Sequence, residues 1–419
     1  MKRYIPTWGA RMNLPIETDF ANLSAAAAGP PLKILVVHSA YQWRGGEDTV
    51  RNAEIEMLRN GGQHVETYDR DNANINDMPR VVAAKEALWS SKTTADVLAR
   101  IREFQPDLIH AHNSFPLVSP SLYWEAARAG VPVIQTLHNF GLLCPQAMFL
   151  REDRVCEDCL GKLPWRGAVH RCYRESAAQS AAVAAMLGVH RAVGTFNHKV
   201  TRYIALNQFC RGKFIEGGLP AERISIKPNL VAVAVATHDE VPRSGALFVG
   251  RLSREKGIKV LLEALRLLPN MHIDMIGVGP MQAEVDAHDQ VRSLGARTHP
   301  QVLSAMRRAA YLVLPSVWHE MMPLTVVEAF ACGLPVIGSR SGALRELIAE
   351  ELTGLLCEPS DARDLADKIA WAEAHPIALQ EMGRNARADY LDKYTPERNF
   401  EQLMAIYRDV LATRHDVDG

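Results

Sequence analysis

Two carboxylates eight residues apart, Glu320 and Glu328, bracket the richest stretch of the chain, which runs from Leu314-Pro315-Ser316 through His319-Glu320-Met321-Met322-Pro323 to Val336. Glu328 lies between Val327 and Ala329 in an apolar run that must pack, and a buried carboxylate is costly without a partner. The hydroxyl pair of a ligand would serve; so would a structural salt bridge. Upstream, Gly250-Arg251 and Lys256-Gly257 place two cations five residues apart. A guanidinium can fork onto phosphate oxygens and an ammonium can act as a point charge at a pyrophosphate. The alternative is a solvated charge cluster. Gly45-Gly46 precedes Glu47 at the start of a helical stretch, where backbone N–H groups can approach a phosphate at the positive end of the helix. No Gly-Lys-Ser/Thr follows, so the segment is not a P-loop, and a plain strand-to-helix turn is the competing reading. Cys144, Cys156, Cys159 and Cys172 are spaced C-x11-C-x2-C-x12-C in a polar loop. That spacing admits a tetrahedral structural zinc, free thiols or a redox pair.

These residues need elements to hold them. Lys33–His38 is a short apolar run without alternation, as expected of a strand buried on both faces. Apolar runs at 64–68, 108–110, 133–137 and 203–206 then alternate with helical patterns, which argues for parallel βαβ units. A second set begins at Ala246–Val249 and repeats the alternation to Leu356. The expected architecture is α/β: two Rossmann-like, doubly wound domains facing a central cleft, with chemistry at the carboxyl ends of the strands. We place a flexible extension at 1–31 and a first domain at 32–228, with a Cys-rich insertion at about 140–175. A second domain follows at 229–395, and a final helix at 396–419 crosses back to the first domain.

The chain has 419 residues with 47 Lys and Arg against 48 Asp and Glu, which excludes a binder that holds nucleic acid by bulk charge. The first 22 residues show no apolar secretory core, and no run approaches a membrane span, so a cytoplasmic enzyme is the expectation. Lys162–Arg202 departs from the average, with seven Lys and Arg against Glu175 alone. Basic residues interleaved with Trp165, Met186 and Phe196 suit an anionic membrane surface; a solvated helix face explains them equally well. Cys210, Cys332 and Cys357 read as packing residues.

Glu320-x7-Glu328, Gly250-Arg251…Lys256-Gly257, Pro315-Ser316 and Gly333-Leu334-Pro335-Val336, in that ordered set, resemble glycosyltransferase family 4. The resemblance covers Leu32 to Ala412, including Gly45-Gly46-Glu47 and the passage from Ala205-Leu206-Asn207 to Pro228-Asn229. It implies a GT-B fold and a retaining hexosyltransferase whose catalysis requires no metal or other cofactor. The donor would be a UDP- or GDP-sugar and the acceptor a saccharide or lipid-linked glycan, in cell-surface polysaccharide or glycoconjugate synthesis. By the resemblance Arg251 and Lys256 hold the donor diphosphate, Glu328 takes the ribose hydroxyls and Glu320 the hydroxyls of the transferred sugar. Backbone N–H groups of the turn Met321, Met322, Pro323 and Leu324 would bind sugar or phosphate. Gly45 and Gly46 would close over the diphosphate, and His138 would reach the sugar. Two departures stand out: Met321-Met322-Pro323 replaces a Gly-Phe-Pro turn, and Val278 replaces an acidic residue, so Gly277 and Gly279 are the weakest cleft candidates. Rival functions are a GT-B sugar-nucleotide epimerase, a phosphorylase, for which no pyridoxal-phosphate Lys site is found, and a non-catalytic, zinc-stapled sugar-nucleotide-binding protein. A cytoplasmic location, peripheral at the inner face of the membrane, would suit a lipid-linked acceptor.

Overall fold

The computed structural model describes residues 29–40, 45–233 and 242–415, with side chains to 413. Of the extension expected at 1–31, all but the last three residues lie outside the described residues. The chain divides into two compact units, which are described separately. The first takes the chain up to Ala147, Asp158–Ala232 and the stretch from Pro396; the second takes Met148–Glu157 and Val233–Thr395. The insertion at about 140–175 was expected to belong wholly to the first domain. Instead, residues 148–157 group with the second, because their polar side chains pair with its loops.

In the first unit β1 (Lys33–Ala40), β2 (His64–Asp71), β3 (Leu108–Asn113) and β4 (Val133–Thr136) build a parallel sheet. The short antiparallel hairpin of β5 (Leu150–Arg151) and β6 (Arg154–Val155) belongs to the second unit. The chain then returns for β7 (Arg202–Ala205) and β8 (Ile224–Ile226), completing the order β2-β1-β3-β4-β7-β8. Ile34, Leu35, Val36 and Val37 are wholly buried, which is why β1 reads as a continuous apolar run. The second unit repeats the pattern with β9 (Ala246–Val249), β10 (Ile273–Ile276), β11 (Val291–Gly295), β12 (Tyr311–Leu314), β13 (Val336–Ser339) and β14 (Gly354–Cys357). Its order is β11-β10-β9-β12-β13-β14. Strand order therefore reverses between β1 and β3 in one sheet and between β9 and β12 in the other. A cleft opens at such a switch point, at the carboxyl ends of the strands.

The C-terminal helix Pro396–His415 completes the first unit. Its Phe400, Leu403, Met404, Tyr407 and Val410 recur at helical spacing and pack into the core formed by Ile34, Val36, Ala53, Met57 and Ile134. A buried charge network joins this helix to the sheet. Lys227 Nζ donates to Glu54 Oε2 at 3.0 Å, to Asn399 Oδ1 at 2.9 Å and to the Pro228 carbonyl at 3.2 Å. Burial alone would raise the Glu54 carboxyl, but Lys227, His110 and His112 outweigh it and hold the group well below the usual carboxylate range. Removing one partner leaves an uncompensated charge in the core. Lys227→Met should accordingly cost about 3–5 kcal/mol, read as a lowered midpoint in urea denaturation.

Candidate active site

In the first unit the loop after β1 leads into the helix Gly46–Asn60, with Gly45 as its N-cap. Asp48 closes that turn: its Oδ2 accepts the Gly45 N–H at 3.0 Å, while its Oδ1 lies 2.8 Å from His38 Nε2. Gly45 and Gly46 are exposed at the positive end of a fifteen-residue helix, a place suited to an anion. Asn139 Nδ2 donates to Glu47 Oε1 at 3.0 Å, tying this turn to the loop that carries His138.

His138 stands at the end of a row of buried imidazoles. Its Nε2 is 2.9 Å from His112 Nδ1, and the two rings stack with centroids 5.2 Å apart. Glu54 Oε1 lies 3.2 Å from His112 Nε2 and 3.2 Å from His110 Nδ1, off the line of an ideal hydrogen bond. Its negative charge favours a proton on His112 Nε2, so that His112 Nδ1 accepts from His138 Nε2–H. That tautomer leaves His138 Nδ1 as a buried acceptor with no hydrogen-bond partner. Burial, followed by the neighbouring His112, holds the His138 ring well below its ordinary value and neutral. Both rings line a cavity of about 420 Å³ whose walls also include Asn113, Phe115, Tyr173 and Arg174. Sequence reading missed His110 and His112; the available signal was His-Ala-His within a strand, since alternate residues share a face. Glu54, His110 and His112 place three ligand atoms within metal-binding reach of one another. The Lys227 ammonium already neutralises that carboxylate, and His110 is engaged by Tyr407 Oη at 2.7 Å and Thr136 Oγ1 at 2.8 Å. The cluster is thus a charge-compensated network.

Of the cysteine quartet, Cys144, Cys159 and Cys172 belong to this unit and Cys156 to the other. Cys210, Cys332 and Cys357 are buried, and burial pushes the Cys332 thiol up to about 11.

In the second unit the loops after β9 and β12 meet at the switch point. Lys256 Nζ donates to Glu320 Oε1 at 2.6 Å, and the same oxygen accepts from Ser316 Oγ at 2.7 Å and Trp318 Nε1 at 2.9 Å. Glu320 is 4% exposed, yet its Oε2 accepts no hydrogen bond among the described residues. Gly257 makes the close packing possible: its φ is +73°, and a Cβ there would stand 1.8 Å from the Pro315 carbonyl oxygen. Arg251, with its side chain 61% exposed, pairs with Glu255, whose carboxylate also accepts from Ser253 Oγ at 2.7 Å. Gly277 and Gly279 pack closely against the loop after β9. Added Cβ atoms would lie 1.8 Å from the Gly250 carbonyl oxygen and 2.2 Å from that of Leu252, so both residues serve the packing of the Arg251 loop.

Met321 and Met322 are buried, and Pro323 caps the helix Leu324–Ala331 that carries Glu328. The partner that Glu328 requires is His299, whose Nε2 is 3.0 Å from Glu328 Oε1. The hydrogen bond to Glu328 raises the His299 ring above its ordinary value despite burial. The insertion hairpin reaches the same loops: His319 is held between Glu157 Oε1 at 3.1 Å and Ser341 Oγ at 3.1 Å, and Asp153 pairs with Arg254 at 3.2 Å. Neither His299 nor Glu157 was legible, because each is separated from its partner by a long stretch of chain.

Comparison with known proteins follows the same division. The family described as "Glycosyl transferase 4-like domain" matches residues 49–229, and "Glycosyl transferases group 1" matches 242–389. A D-inositol 3-phosphate glycosyltransferase of an Arthrobacter species is 27% identical over 400 residues, covering 82% of this chain and 85% of that protein. An uncharacterised glycosyltransferase of Methanocaldococcus jannaschii is 27% identical over 170 residues, 39% of this chain and about half (48%) of that protein. Among solved structures, sucrose-phosphate synthase from Thermosynechococcus elongatus superposes with a TM-score of 0.67 at 20% identity, over 91% of this chain and all of that one. Anabaena HepE in complex with UDP-glucose gives 0.61 at 16% identity, over 92% of this chain and all of that one. These structures share the GT-B fold.

The imidazole row makes the first unit sensitive to acid. Burial, then the charge of His112, pushes the His110 ring down to about 3 from an ordinary 6.5, so unfolding takes up a proton across that interval. Glu54, held low, adds its own loss of stability as the pH falls below the ordinary carboxylate value. Both terms have the same sign. The denaturation midpoint should be flat above pH 7 and fall from about pH 6.5 downward, by up to about 1.4 kcal/mol per pH unit for each proton taken up. Glu54→Gln removes a charge that holds the His110 ring up. On top of its destabilisation it should keep the fall between pH 6.5 and 4.5 and lose only the carboxylate part below that, as urea titrations across pH 3–8 would show.

Proposed function

Because this chain belongs to glycosyltransferase family 4 and has its GT-B fold, we propose that it moves a hexose with retention from a UDP-sugar to a saccharide or lipid-linked acceptor. One observation carries the reading: Lys256 and Glu320 meet at the switch point of the second sheet, with Arg251 on the same loop. UDP-glucose bound in the HepE structure favours uridine over guanosine for the donor.

On donor binding, Lys256 exchanges Glu320 Oε1 for the diphosphate, and Arg251 turns from Glu255 to fork onto phosphate oxygens. Glu320 keeps Ser316 and Trp318 on Oε1 and offers its remaining lone pairs to sugar hydroxyls. Glu328, oriented by His299, takes the ribose hydroxyls. The bond between sugar C1 and the β-phosphate oxygen then breaks with oxocarbenium character, and the two cations stabilise the departing diphosphate. The acceptor oxygen bonds to C1 on the same face, and its proton passes to the released phosphate oxygen. No protein nucleophile is required, and the two cations carry the charge that a divalent ion would otherwise neutralise. The cavity beside His112 and His138 seats the acceptor, and His138 Nδ1 accepts a hydroxyl there.

A thermal-shift screen of UDP- and GDP-sugars tests the donor, since a ligand at 100 times its Kd stabilises by about 2.7 kcal/mol. UDP-sugars should raise the Tm. Failure of every nucleotide sugar to do so would overturn the proposal. Lys256→Ala should abolish the shift and lower turnover by about 100-fold or more, whereas Glu320→Gln should keep the shift produced by UDP and lose transfer. Glu157→Ala frees His319 on one side and should lower kcat by about tenfold with little change in the donor KM; Glu157→Gln keeps an acceptor for the His319 N–H and should recover most of the loss.

A further inference from the structure

The part of the insertion that stays in the first unit, from Cys159 to Arg174, is built to face something apolar and anionic. Its inner side is pinned. Leu160, Pro164 and Gly167 are buried, and a Cβ on Gly167 would press to 2.7 Å from Pro145 Cγ. Arg191 donates to the carbonyls of Lys162 at 2.7 Å and Leu142 at 2.6 Å, which fixes the loop on the helix Ala177–Ala192. Its outer side carries three large apolar residues that nothing within the described residues covers: Leu163 at 67% exposure, Trp165 at 60% and Val169 at 65%. Single exposed apolar residues are ordinary, but three on one short, fixed loop form a patch.

Basic residues predominate around the patch, with Arg166 lying 3.9 Å from the Asp158 carboxylate at the loop's edge. Lys162, Arg166, Arg171 and Arg174 lie between Cys159 and Arg174, and no carboxylate interrupts them. Lys162 and Arg171 make no ion pair among the described residues, and the Arg166 guanidinium lies 5.7 Å from the centroid of the Trp165 ring. A second copy of this chain would bring like charges together. An interfacial Trp flanked by Leu and Val, with a ring of Lys and Arg, instead matches a bilayer surface: the apolar side chains enter the acyl boundary while the cations meet anionic headgroups. No helix among the described residues is long and apolar enough to cross a membrane, so contact of this kind would be peripheral.

We propose that the loop Cys159–Arg174 docks the protein on an anionic lipid bilayer through Leu163, Trp165 and Val169, with Lys162, Arg166 and Arg171 at the headgroups. The surface is separate from the donor residues, so its test does not depend on the sugar chemistry. The full chain should co-sediment with vesicles of phosphatidylglycerol and phosphatidylethanolamine but not with phosphatidylcholine alone, and raised salt should release it. The triple variant L163S/W165S/V169S should bind anionic vesicles at least about tenfold more weakly, as should Lys162→Glu with Arg171→Glu. Both variants should keep the wild-type Tm and the same thermal shift with a UDP-sugar, which separates lost docking from lost folding or donor binding. Failure of the wild type to bind anionic vesicles, or equal binding by the triple variant, would overturn the proposal. So would a concentration-dependent dimer, seen by sedimentation velocity, that the triple variant abolishes, since a second copy would then occupy the patch.

Discussion

A carboxylate withdrawn from water must be compensated, and each unit is arranged around one. In the first, Glu54 gathers Lys227, His110 and His112, and through Asn399 and Tyr407 the same network reaches the C-terminal helix. In the second, Glu320 draws Lys256, Ser316 and Trp318 onto a single oxygen. The two solutions differ in purpose. Glu54 is sealed on every side and orients a row of neutral rings. Glu320 is compensated on one oxygen only, and its other oxygen stays available.

This asymmetry bears on the proposed donor residues as a set. Before any ligand arrives, Lys256 is paired with Glu320, Arg251 with Glu255 and Glu328 with His299. Cations and carboxylates gathered in a small volume, as these proposed ligands of phosphate and hydroxyls are, would otherwise repel their own kind. Internal pairing holds their geometry and lets a ligand exchange one partner for another instead of ordering loose side chains.

The two sheets were legible because parallel strands buried on both faces write continuous apolar runs, as Ile34–Val37 does. The residues proposed to bind the donor stand out in the sequence because they fall in short local patterns, Gly-Arg-x4-Lys-Gly and Glu-x7-Glu, at the ends of such runs. Partners joined across long chain separations were not. Glu157 meets His319 from 162 residues away, and Lys227 meets Glu54 from 173. The bounds of the cysteine-rich insertion were not legible either, since part of the segment groups with the other unit. Gly277 and Gly279 each leave room for the backbone of the neighbouring loop, a packing role that their spacing did not announce.

The division of the chain has a consequence for how the protein is made. The first unit needs Asn399, Phe400 and Tyr407, which follow the whole of the second unit in the sequence. On the ribosome, therefore, the earliest strands to emerge wait with an unfilled groove and an unanswered Lys227 until the last helix has been translated. The second unit, apart from its small hairpin, is continuous and can condense as soon as it is synthesised. The domain that is begun first is finished last, and a nascent chain stalled before Pro396 would present one closed domain and one still open to chaperones.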